Sequence, residues 1–432
     1  MRHITSVEDL PRGAAISIYG AGGAGRELLR QVRASGRVRA LRFLDTSASG
    51  EADGLPVQRF ADFIAAHPGG DGPIVIASTH DAEIAWTLRE AGLSDFCSFK
   101  DSGRYILCNL ICRLLPEGDR FTLLDIGARD ADTDPRWLGL PPERMRLYGF
   151  ELDEEGCAAM TRSMSAGGRE ARFFPYGLWG RAERRDFHHS LGHPGSSSLF
   201  PFNFEVFDRW KIFDGKGVRH EGQFMRPVRQ IPVELSTLDR WRAEQDVASV
   251  DFMKLNVQGA ELEILRAGET VLPEVMGLLA EVAFVENYAG RPLFADIDSW
   301  LRARGFTFFE FISPLTVGRN ASPVSTRLLP GFHHWHGQRV ESHALYLRDP
   351  VALALQGADM GAFGFGKALK LAALAERYFQ VEFAFEVLAW LAGSLRQKGD
   401  EQRAAEVEGV IEAAARGYQA AFGHETTGQR GA

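Results

Sequence analysis

The stretch VDFMKLNVQGAELEIL, at positions 250–265, decides the fold of this chain. Its first half is an apolar run of strand length, and the polar residues Asn256 and Gln258 follow at its end. Gly259 allows a sharp turn, and Glu261 then opens a run with helical spacing, because acidic side chains are favoured at a helix N-terminus. A strand that passes through one turn into a helix is typical of α/β proteins with parallel sheets.

Two upstream runs, FTLLDIGARD and RLYGFELD, repeat the pattern of an apolar strand that ends in polar or glycine residues. Asp125 closes the first strand, Gly127 permits a tight turn, and the small side chain of Ala128 leaves room for a ligand. Glu151 stands at the tip of the second strand. Ligands bind beyond the carboxyl ends of parallel strands. We therefore expect the amide groups of the turn to donate to a ligand carboxylate, and Glu151 to bind two ribose hydroxyls.

Together, the DIGA and VQGAE segments resemble the FkbM-type methyltransferases that use S-adenosylmethionine (SAM), whose recurrent pattern is close to DFxKxDVQGAExxVL. The segments FPYGLWG, GSSSL, VELSTLDRW and LLAEVAFVENY extend the resemblance over roughly Phe121 to Phe311. The resemblance implies a doubly wound class I methyltransferase fold with SAM as the cofactor. It also implies O-methylation of a hydroxyl on a sugar, a glycan or another secondary metabolite.

The chain departs from this family pattern at two places. Arg129, Asp130 and Ala131 follow the DIGA turn where the family usually has a small residue, which predicts an altered loop beside an open cofactor pocket. Asn256 stands where the family commonly has Asp, and an amide forms hydrogen bonds but cannot hold a negative charge or act as a base. One alternative is therefore a non-catalytic scaffold or sensing protein whose degraded site only binds its ligand.

Methyl transfer mainly requires the reacting atoms to be held in line, and an alcohol acceptor must also lose its proton. For the general base we favour Glu281 first and His189 second, with Lys254 as a further catalytic candidate. No spacing of His, Cys or acidic residues announces a metal site. The residues expected to bind the cofactor are Asp125, Gly127, Ala128, Glu151, Gly177, Leu178 and Asn256.

A long stretch from Arg181 to Arg229 interrupts the strand pattern and is expected to be an irregular insertion. Insertions at the strand ends of such sheets tend to be lids or substrate loops, so this one is expected to select a small-molecule or glycan acceptor. Its aromatic side chains suit stacking on a sugar, and they suit packing against the domain equally well. They are Phe187, Phe200, Phe202, Phe204, Phe207 and Trp210.

The N-terminal run YGAGGAGREL lies between a strand and a helix, and Gly20, Gly22 and Gly25 form the G-x-G-x-x-G spacing. Asp45 follows about 20 residues later at the end of the next strand, where the dinucleotide fingerprint has a ribose-binding acid. The unit resembles the small Rossmann-like domains of sugar acyltransferases and related polysaccharide enzymes. It predicts a bound nucleotide-sugar or dinucleotide, with His80 as a candidate for lining that site. A purely structural domain and an NAD(P)-dependent oxidoreductase are the alternatives.

The predicted fold class is therefore α/β, with three domains. Residues 1–102 form the Rossmann-like domain, residues 103–350 the doubly wound methyltransferase domain, and residues 351–432 a helical bundle. The spacing of apolar residues in the last segment suits packing within the chain or a homo-oligomer formed through these helices.

Composition and charge narrow the choice of partners. The 432 residues carry a formal net charge of −8, which gives no general attraction to nucleic acid or to an anionic membrane. No run of 18 apolar residues and no signal-peptide core is found, so a cytoplasmic protein without membrane insertion is expected. The four cysteines are too few for a disulfide framework and predict buried, reduced thiols.

Overall fold

The computed structural model describes residues 2–4, 7, 10–78, 81–99, 105–128, 134–213, 218–322, 337–357 and 363–422. Two features singled out in the sequence, His80 and the run 129–131, lie outside these residues. The chain divides into two compact units, Met1–Ile106 and Leu107–Ala432. Within the described ranges, no helix is both long enough and apolar enough to cross a membrane.

The first unit is built on a seven-stranded sheet. Its elements are β1 (Arg2–Ile4), β2 (Ala15–Tyr19), α1 (Gly23–Ser35), β3 (Arg39–Asp45), β4 (Gly50–Ala52), β5 (Leu55–Arg59), α2 (Phe60–Ala66), β6 (Ile74–Ile76), α3 (Asp81–Glu90) and β7 (Phe96–Phe99). The strand order is β1-β7-β6-β2-β3-β5-β4, and all neighbours are parallel except β4 and β5. The chain builds first to one side of β2 and then to the other, so the strand order reverses beside β2. In open parallel sheets, such a reversal is where ligands bind.

Helix α1 packs on this sheet through one apolar face. Leu28, Leu29 and Val32 recur at helical spacing and are buried. The helix ends at Gly36, whose φ of 59° is left-handed and whose amide donates to the carbonyl of Val32. The glycine run therefore connects a buried strand directly to an amphipathic helix.

The second unit holds a nine-stranded mixed sheet and a small three-stranded one. Its strands are β8 (Phe121–Ile126), β9 (Met145–Phe150), β10 (Glu170–Phe174), β11 (Gly177–Leu178), β12 (Glu183–Ser190), β13 (Trp210–Phe213), β14 (Val218–His220), β15 (Val228–Ser236), β16 (Phe252–Leu255), β17 (Gly277–Ala283), β18 (Phe306–Arg319) and β19 (Gln338–Arg348). The large sheet has the order β10-β9-β8-β16-β17-β19-β18-β13-β14. Its first five strands are parallel, and β19 pairs antiparallel with β17 and β18.

This sheet is doubly wound, because its strand order reverses at β8. The predicted strand of the opening stretch is β16, which is buried along its whole length between β8 and β17. The carboxyl ends of β8, β9 and β16 consequently meet at one edge of the sheet. The α/β class predicted for this part of the chain is confirmed.

Most helices of the second unit lie between strands, and the last four follow one another after β19. They are α4 (Ile106–Leu114), α5 (Pro135–Leu138), α6 (Glu154–Ala166), α7 (Phe204–Phe207), α8 (Glu221–Met225), α9 (Leu238–Glu244), α10 (Glu261–Arg266), α11 (Phe294–Arg302), α12 (Pro350–Leu355), α13 (Phe365–Arg377), α14 (Val381–Gln397) and α15 (Glu401–Phe422). Short 3₁₀ turns lie at Pro142–Arg144, Pro194–Ser196 and Leu272–Glu274. The first residue of α4 belongs to the first compact unit, and the rest of that helix belongs to the second.

The insertion at 181–229 is more regular than the sequence suggested. It contains β12, which pairs antiparallel with β15 from Glu183↔Leu235 to Ser190↔Val228, while β11 pairs with the other edge of β15. The expectation of an irregular insertion is therefore wrong for this part. Strand β12 has the sequence ERRDFHHS, and most of its side chains are partly exposed. Because Phe187 is its only large apolar side chain, the strand shows no hydrophobic alternation by which it could be recognised.

Helix α13 is a core element of the second unit. Lys367 donates to Asp251 at 2.7 Å, and Lys370 forms an ion pair with the same carboxylate at 3.2 Å. Near the other end of the helix, Glu376 accepts the amides of Leu107 at 2.8 Å and Cys108 at 2.6 Å. These amides open α4 and have no acceptor within their own helix, so α13 supplies one. Helix α13 and the helices that follow it belong to the same compact unit as the nine-stranded sheet.

Candidate functional site

A cavity of about 680 Å³ opens at the carboxyl edge of the large sheet, where β8, β9 and β16 end. This volume lies within the range of roughly 300–1,000 Å³ that is usual for small-molecule sites. One wall comes from the strand ends and α6, and the opposite wall comes from the three-stranded sheet and the loop after β12. The lining residues are Ile126, Gly127, Phe150, Glu151, Leu152, Asp153, Gly156, Ala159, Met160, Ser163, Tyr176, Gly177, Leu178, Phe187, His189, Pro194, Gly195, Ser197, Leu199, Ile231, Leu235, Asn256, Val257 and Gln258.

Five of the seven predicted cofactor residues lie in the wall of this cavity. They are Gly127, Glu151, Gly177, Leu178 and Asn256. The structure does not bring the other two to the wall. Asp125 is fully buried, with Lys254 at 3.5 Å, and Ala128 is 2% exposed. Asp125 and Lys254 therefore form a buried ion pair on neighbouring strands, at a register position that no local pattern in the sequence reveals.

The Gly127 turn is shaped by the protein's own backbone. Its φ is +88°, and a Cβ at this position would stand 2.0 Å from the carbonyl oxygen of Asn256. The amides of Gly127 and Ala128 both donate to the carbonyl of Phe150, at 3.1 and 3.0 Å. The expectation that these two amides donate to a ligand carboxylate is therefore wrong, because both already donate to the carbonyl at the end of β9.

Glu151 is held in the cavity wall by backbone amides. Its Oε1 accepts from Leu152 at 2.7 Å and from Asp153 at 3.3 Å. The Asp153 side chain in turn accepts from the amide of Gly156 at 3.1 Å and so caps α6. These hydrogen bonds fix the carboxylate at the tip of β9, in the position that the sequence predicted.

Gln258 organises the segment that follows β16. It has a left-handed φ of 58°, and its Nε2 donates to Oδ1 of Asn256 at 3.0 Å and to Oε1 of Glu281 at 2.8 Å. The hydroxyl of Tyr288 lies 3.1 Å from the Gln258 side-chain oxygen. Behind this segment, the carboxylate of Glu261 accepts the amides of Val257 and Gly259, both at 2.9 Å.

Sequence reasoning missed the role of Glu261, which it used only as a sign of a helix start. A glutamate placed two residues after a glycine, at the first position of a helix, was the available signal. Such a carboxylate can turn back to the amides of the preceding loop. Here it fixes the shape of the loop that carries Asn256 and Gln258 into the cavity wall.

Glu281 lies behind the cavity wall and is 5% exposed. Burial, together with the nearby carboxyl groups of Glu341 and Glu261, raises the pKa of Glu281 well above its ordinary value, although Arg291 opposes this shift. It is not among the described residues that line the cavity. Glu281 accepts from Gln258 behind the cavity wall, away from the space in which a general base must meet the acceptor, so the structure does not place it in the role that the sequence favoured.

His189, the second candidate, does line the cavity. It lies on β12 two residues after Phe187, and alternate residues of a strand share a face. The intervening His188 is on the other face, and burial lowers its pKa, with Asp186 acting in the opposite direction. Lys254 is 8% exposed and is held by its ion pair with Asp125. Of the three catalytic candidates, only His189 is in the described cavity wall.

The N-terminal glycines have different surroundings. A Cβ on Gly20, whose φ is +113°, would lie 2.6 Å from the carbonyl oxygen of Ala77, and one on Gly25 would lie 1.8 Å from that of Gly20. These two glycines allow the tight turn and the close packing of α1. A Cβ on Gly22 would meet no described atom within 4 Å.

Backbone amides hold the carboxylate of Asp45 at the end of β3. It accepts the amides of Ser47 at 3.0 Å and Ala48 at 2.9 Å. Burial would raise the pKa of Asp45, but the backbone hydrogen bonds from Ala48, Ser47 and Ala21 outweigh it and lower this pKa. The structure thus places Gly20, Gly22 and Gly25 at the turn from β2 into α1, and Asp45 at the end of β3.

Comparison with known proteins identifies the class to which this fold and cavity belong, which is the methyltransferases. The family described as "Methyltransferase FkbM domain" matches residues 125–308. The 2-O-methyltransferase NoeI of Sinorhizobium fredii is 31% identical over 177 residues, which cover 41% of this chain and 69% of that protein. The chain belongs to the FkbM methyltransferase family.

A solved structure, the precorrin-6y C5,15-methyltransferase of Geobacter metallireducens, is also similar to this chain. It is 10% identical, and the match covers 57% of this chain and 87% of that protein with a TM-score of 0.26.

Proposed function

We propose that this protein is a SAM-dependent O-methyltransferase that modifies a hydroxyl of a sugar, a glycan or a related secondary metabolite. The observation that carries the proposal is the position of Glu151, a backbone-anchored carboxylate in the wall of a large cavity at the carboxyl edge of a doubly wound sheet. The name of NoeI, a 2-O-methyltransferase, supports oxygen as the atom that receives the methyl group.

The residues of the cavity wall fit SAM. Glu151 offers the acceptor oxygens that a ribose diol requires. Leu152 and Met160 supply apolar contacts suited to an adenine ring. When bound, SAM supplies a methyl group that is activated by its positively charged sulfur.

His189 is the residue that we assign to the proton of the acceptor hydroxyl. An imidazole is a suitable base near neutral pH, and a positioned general base contributes roughly 10²–10⁴-fold to a rate. Asn256 presents a side-chain amide in the same wall. Its Oδ1 accepts from Gln258, so its role is to orient rather than to take a proton.

Turnover tests this proposal directly. The protein would be incubated with SAM carrying an isotopically labelled methyl group and a panel of hydroxylated sugars and glycans. We expect label in at least one acceptor, and a loss of at least roughly 100-fold in kcat for His189→Gln. His188→Gln is the matched control, because His188 is on the opposite face of β12. Binding of SAM without transfer to any acceptor would instead favour the non-catalytic scaffold.

For the N-terminal unit, we propose a nucleotide-sugar or dinucleotide as the ligand of the glycine turn. The observation that favours it is Gly22, a glycine that no described neighbour requires, at the N-terminus of α1. Helix N-termini bind phosphate, and a residue without a Cβ lets a diphosphate approach the backbone.

Calorimetry with NAD⁺, NADP⁺ and UDP-sugars tests this second proposal. We expect one of these ligands to bind, and Gly22→Val to abolish binding while it leaves the unfolding midpoint of the protein unchanged. Absence of binding by all three would leave the unit with a structural role only. Binding of NAD⁺ with hydride transfer would identify the oxidoreductase alternative.

A further inference from the structure

Ser197 makes three polar contacts in a buried position at the edge of the cavity. Its Oγ lies 2.7 Å from the carbonyl oxygen of Pro194, accepts the amide of Ser190 at 3.1 Å, and lies 3.2 Å from Nδ1 of His189. A serine hydroxyl has one proton to donate and two lone pairs that can accept. The Ser197 hydroxyl can therefore donate only one of these three hydrogen bonds and must accept the other two.

The carbonyl oxygen of Pro194 can only accept, and it is the nearest of the three partners. It therefore takes the single proton of the Ser197 hydroxyl. The amide of Ser190 can only donate, and it occupies one lone pair of the hydroxyl oxygen. The remaining lone pair faces Nδ1 of His189, so this nitrogen must carry the proton of the neutral ring.

From this arrangement we infer that Ser197 is a positioning residue, which holds His189 in the tautomer with a proton on Nδ1 and a free lone pair on Nε2. The inference deepens the proposed function and rests on it for its chemical meaning. A neutral histidine acts as a base only through its unprotonated nitrogen. With Nδ1 engaged by Ser197, Nε2 is the ring nitrogen that can meet an acceptor in the cavity.

The surroundings of Ser197 keep this geometry in place. The next residue, Ser198, donates to the carbonyl of Gln258 at 2.6 Å and so connects this loop to the segment after β16. On the other side of the imidazole, the Phe187 ring is stacked at a centroid distance of 6.4 Å and an interplanar angle of 26°. Both the loop and the ring are therefore restrained.

The chemical step assigned to this pair is balanced. As the acceptor oxygen bonds the methyl carbon and the carbon–sulfur electron pair returns to sulfur, Nε2 of His189 takes the hydroxyl proton. The ring then carries a proton on each nitrogen, and its Nδ1–H continues to donate to Ser197. The positive charge passes from the sulfonium to the imidazolium, which later releases its proton to water.

The tautomer can be measured without SAM or acceptor. In protein labelled with ¹⁵N-histidine, long-range ¹H–¹⁵N spectra above the titration range of the ring distinguish a protonated from an unprotonated nitrogen, and His189→Gln identifies the signal. We expect a proton on Nδ1 in the wild type and on Nε2 for most Ser197→Ala molecules. Ser197→Thr keeps the hydroxyl and should restore the wild-type spectrum.

Ser196→Ala is the matched control, because Ser196 contacts His193 at 2.7 Å rather than His189. This variant should leave the His189 signals unchanged. In turnover, we expect Ser197→Ala to lower kcat by roughly 10-fold to 100-fold without a change in KM for SAM. This loss is no larger than the lower end of the contribution of a general base.

A wild-type spectrum with the proton on Nε2 would overturn the inference, and so would a Ser197→Ala spectrum identical to that of the wild type. Neither result depends on the proposed function, which turnover with SAM tests separately. If Ser197→Ala does not fold, the wild-type spectrum alone decides the question.

Discussion

The two units of the chain each place a glycine beyond the end of a buried strand, and the two glycines differ in what surrounds them. Gly127 has a φ of +88°, and a Cβ there would overlap the carbonyl oxygen of Asn256. Gly22 has a φ of −76°, and a Cβ there would meet no described atom within 4 Å. Packing of the fold thus explains Gly127 and leaves Gly22 unexplained. A glycine that the fold does not need points to a ligand that must approach the backbone.

The acids beyond the following strands are alike. Asp45 accepts the amide of Ser47 at 3.0 Å, and Glu151 accepts that of Leu152 at 2.7 Å. Both carboxylates are fixed by the chain that follows them, in the position where a ribose-binding acid belongs. The two acids are therefore alike in their backbone hydrogen bonds, and the glycines distinguish the units, because packing requires Gly127 and does not require Gly22.

The largest expected effect comes from exchanging glycine for alanine in the two turns. Gly127→Ala combines a left-handed backbone with a backbone overlap, so we expect it to lower the free energy of unfolding by roughly 4 kcal/mol or more. Gly22→Ala should change it by less than about 1 kcal/mol, the cost of a poorer helix cap. Urea unfolding of both variants measures this contrast, and equal losses would break the comparison.

Substitutions in the strands that lead into the two turns are expected to lower the free energy of unfolding by a smaller amount. The second unit has the buried pair of Asp125 and Lys254 there, whereas the first ends β2 with Tyr19, whose hydroxyl lies 3.3 Å from that of Thr46. Lys254→Met leaves a carboxylate buried without this cation and should cost roughly 3 kcal/mol. Tyr19→Phe should cost roughly 1 kcal/mol or less. Thermal and urea unfolding check both values, and a Lys254→Met protein as stable as the wild type would contradict the role of the pair.

The smallest effect on activity is expected from Glu281, which lies behind the cavity wall, in contrast to Glu151, which is part of that wall. Because Gln accepts the same hydrogen bond from Gln258, Glu281→Gln should keep kcat within about threefold of the wild type. The pKa of Glu281 is raised in the folded protein, so its contribution to stability is present below about pH 4.5 and is lost as the pH rises through the folded value.

Gln does not titrate, so the stability of Glu281→Gln relative to the wild type should increase with pH above about 4.5. Urea unfolding from pH 4 to pH 9 measures this difference. A difference that decreases with pH, or a large loss of kcat, would show that Glu281 works as a charged group.

Local patterns in the sequence were enough to predict the strands, the glycine turns and the acidic strand tips. Strand β16 is apolar except for Lys254, and the features that follow it, Asn256, Gln258 and Gly259, are contiguous with it. Glu151 and Asp45 were found for the same reason, because each directly follows a strand of the predicted sheet. Such features depend on neighbours in the chain rather than on contacts between distant residues.

The errors concern contacts between residues that are far apart in the sequence. Asp125 looks like a ligand-binding acid until its register beside Lys254 is known. Glu281 looks exposed at a strand end until Gln258 is seen to cover it. The choice of His189 rather than His188 had no support in the local pattern while β12 was treated as an irregular loop. The homo-oligomer suggested for the C-terminal helices stays a prediction.

The central claim, that Glu151 holds the ribose of SAM in the cavity, is tested most directly by calorimetry. We expect the wild-type protein to bind SAM with a Kd of about micromolar size. Loss of charged hydrogen bonds in Glu151→Gln should weaken binding by roughly 10-fold to 100-fold. Glu154→Gln, an exposed change of the same kind on α6, should bind as the wild type does. Absence of SAM binding by the wild type, or equal affinities of the two variants, would contradict the account.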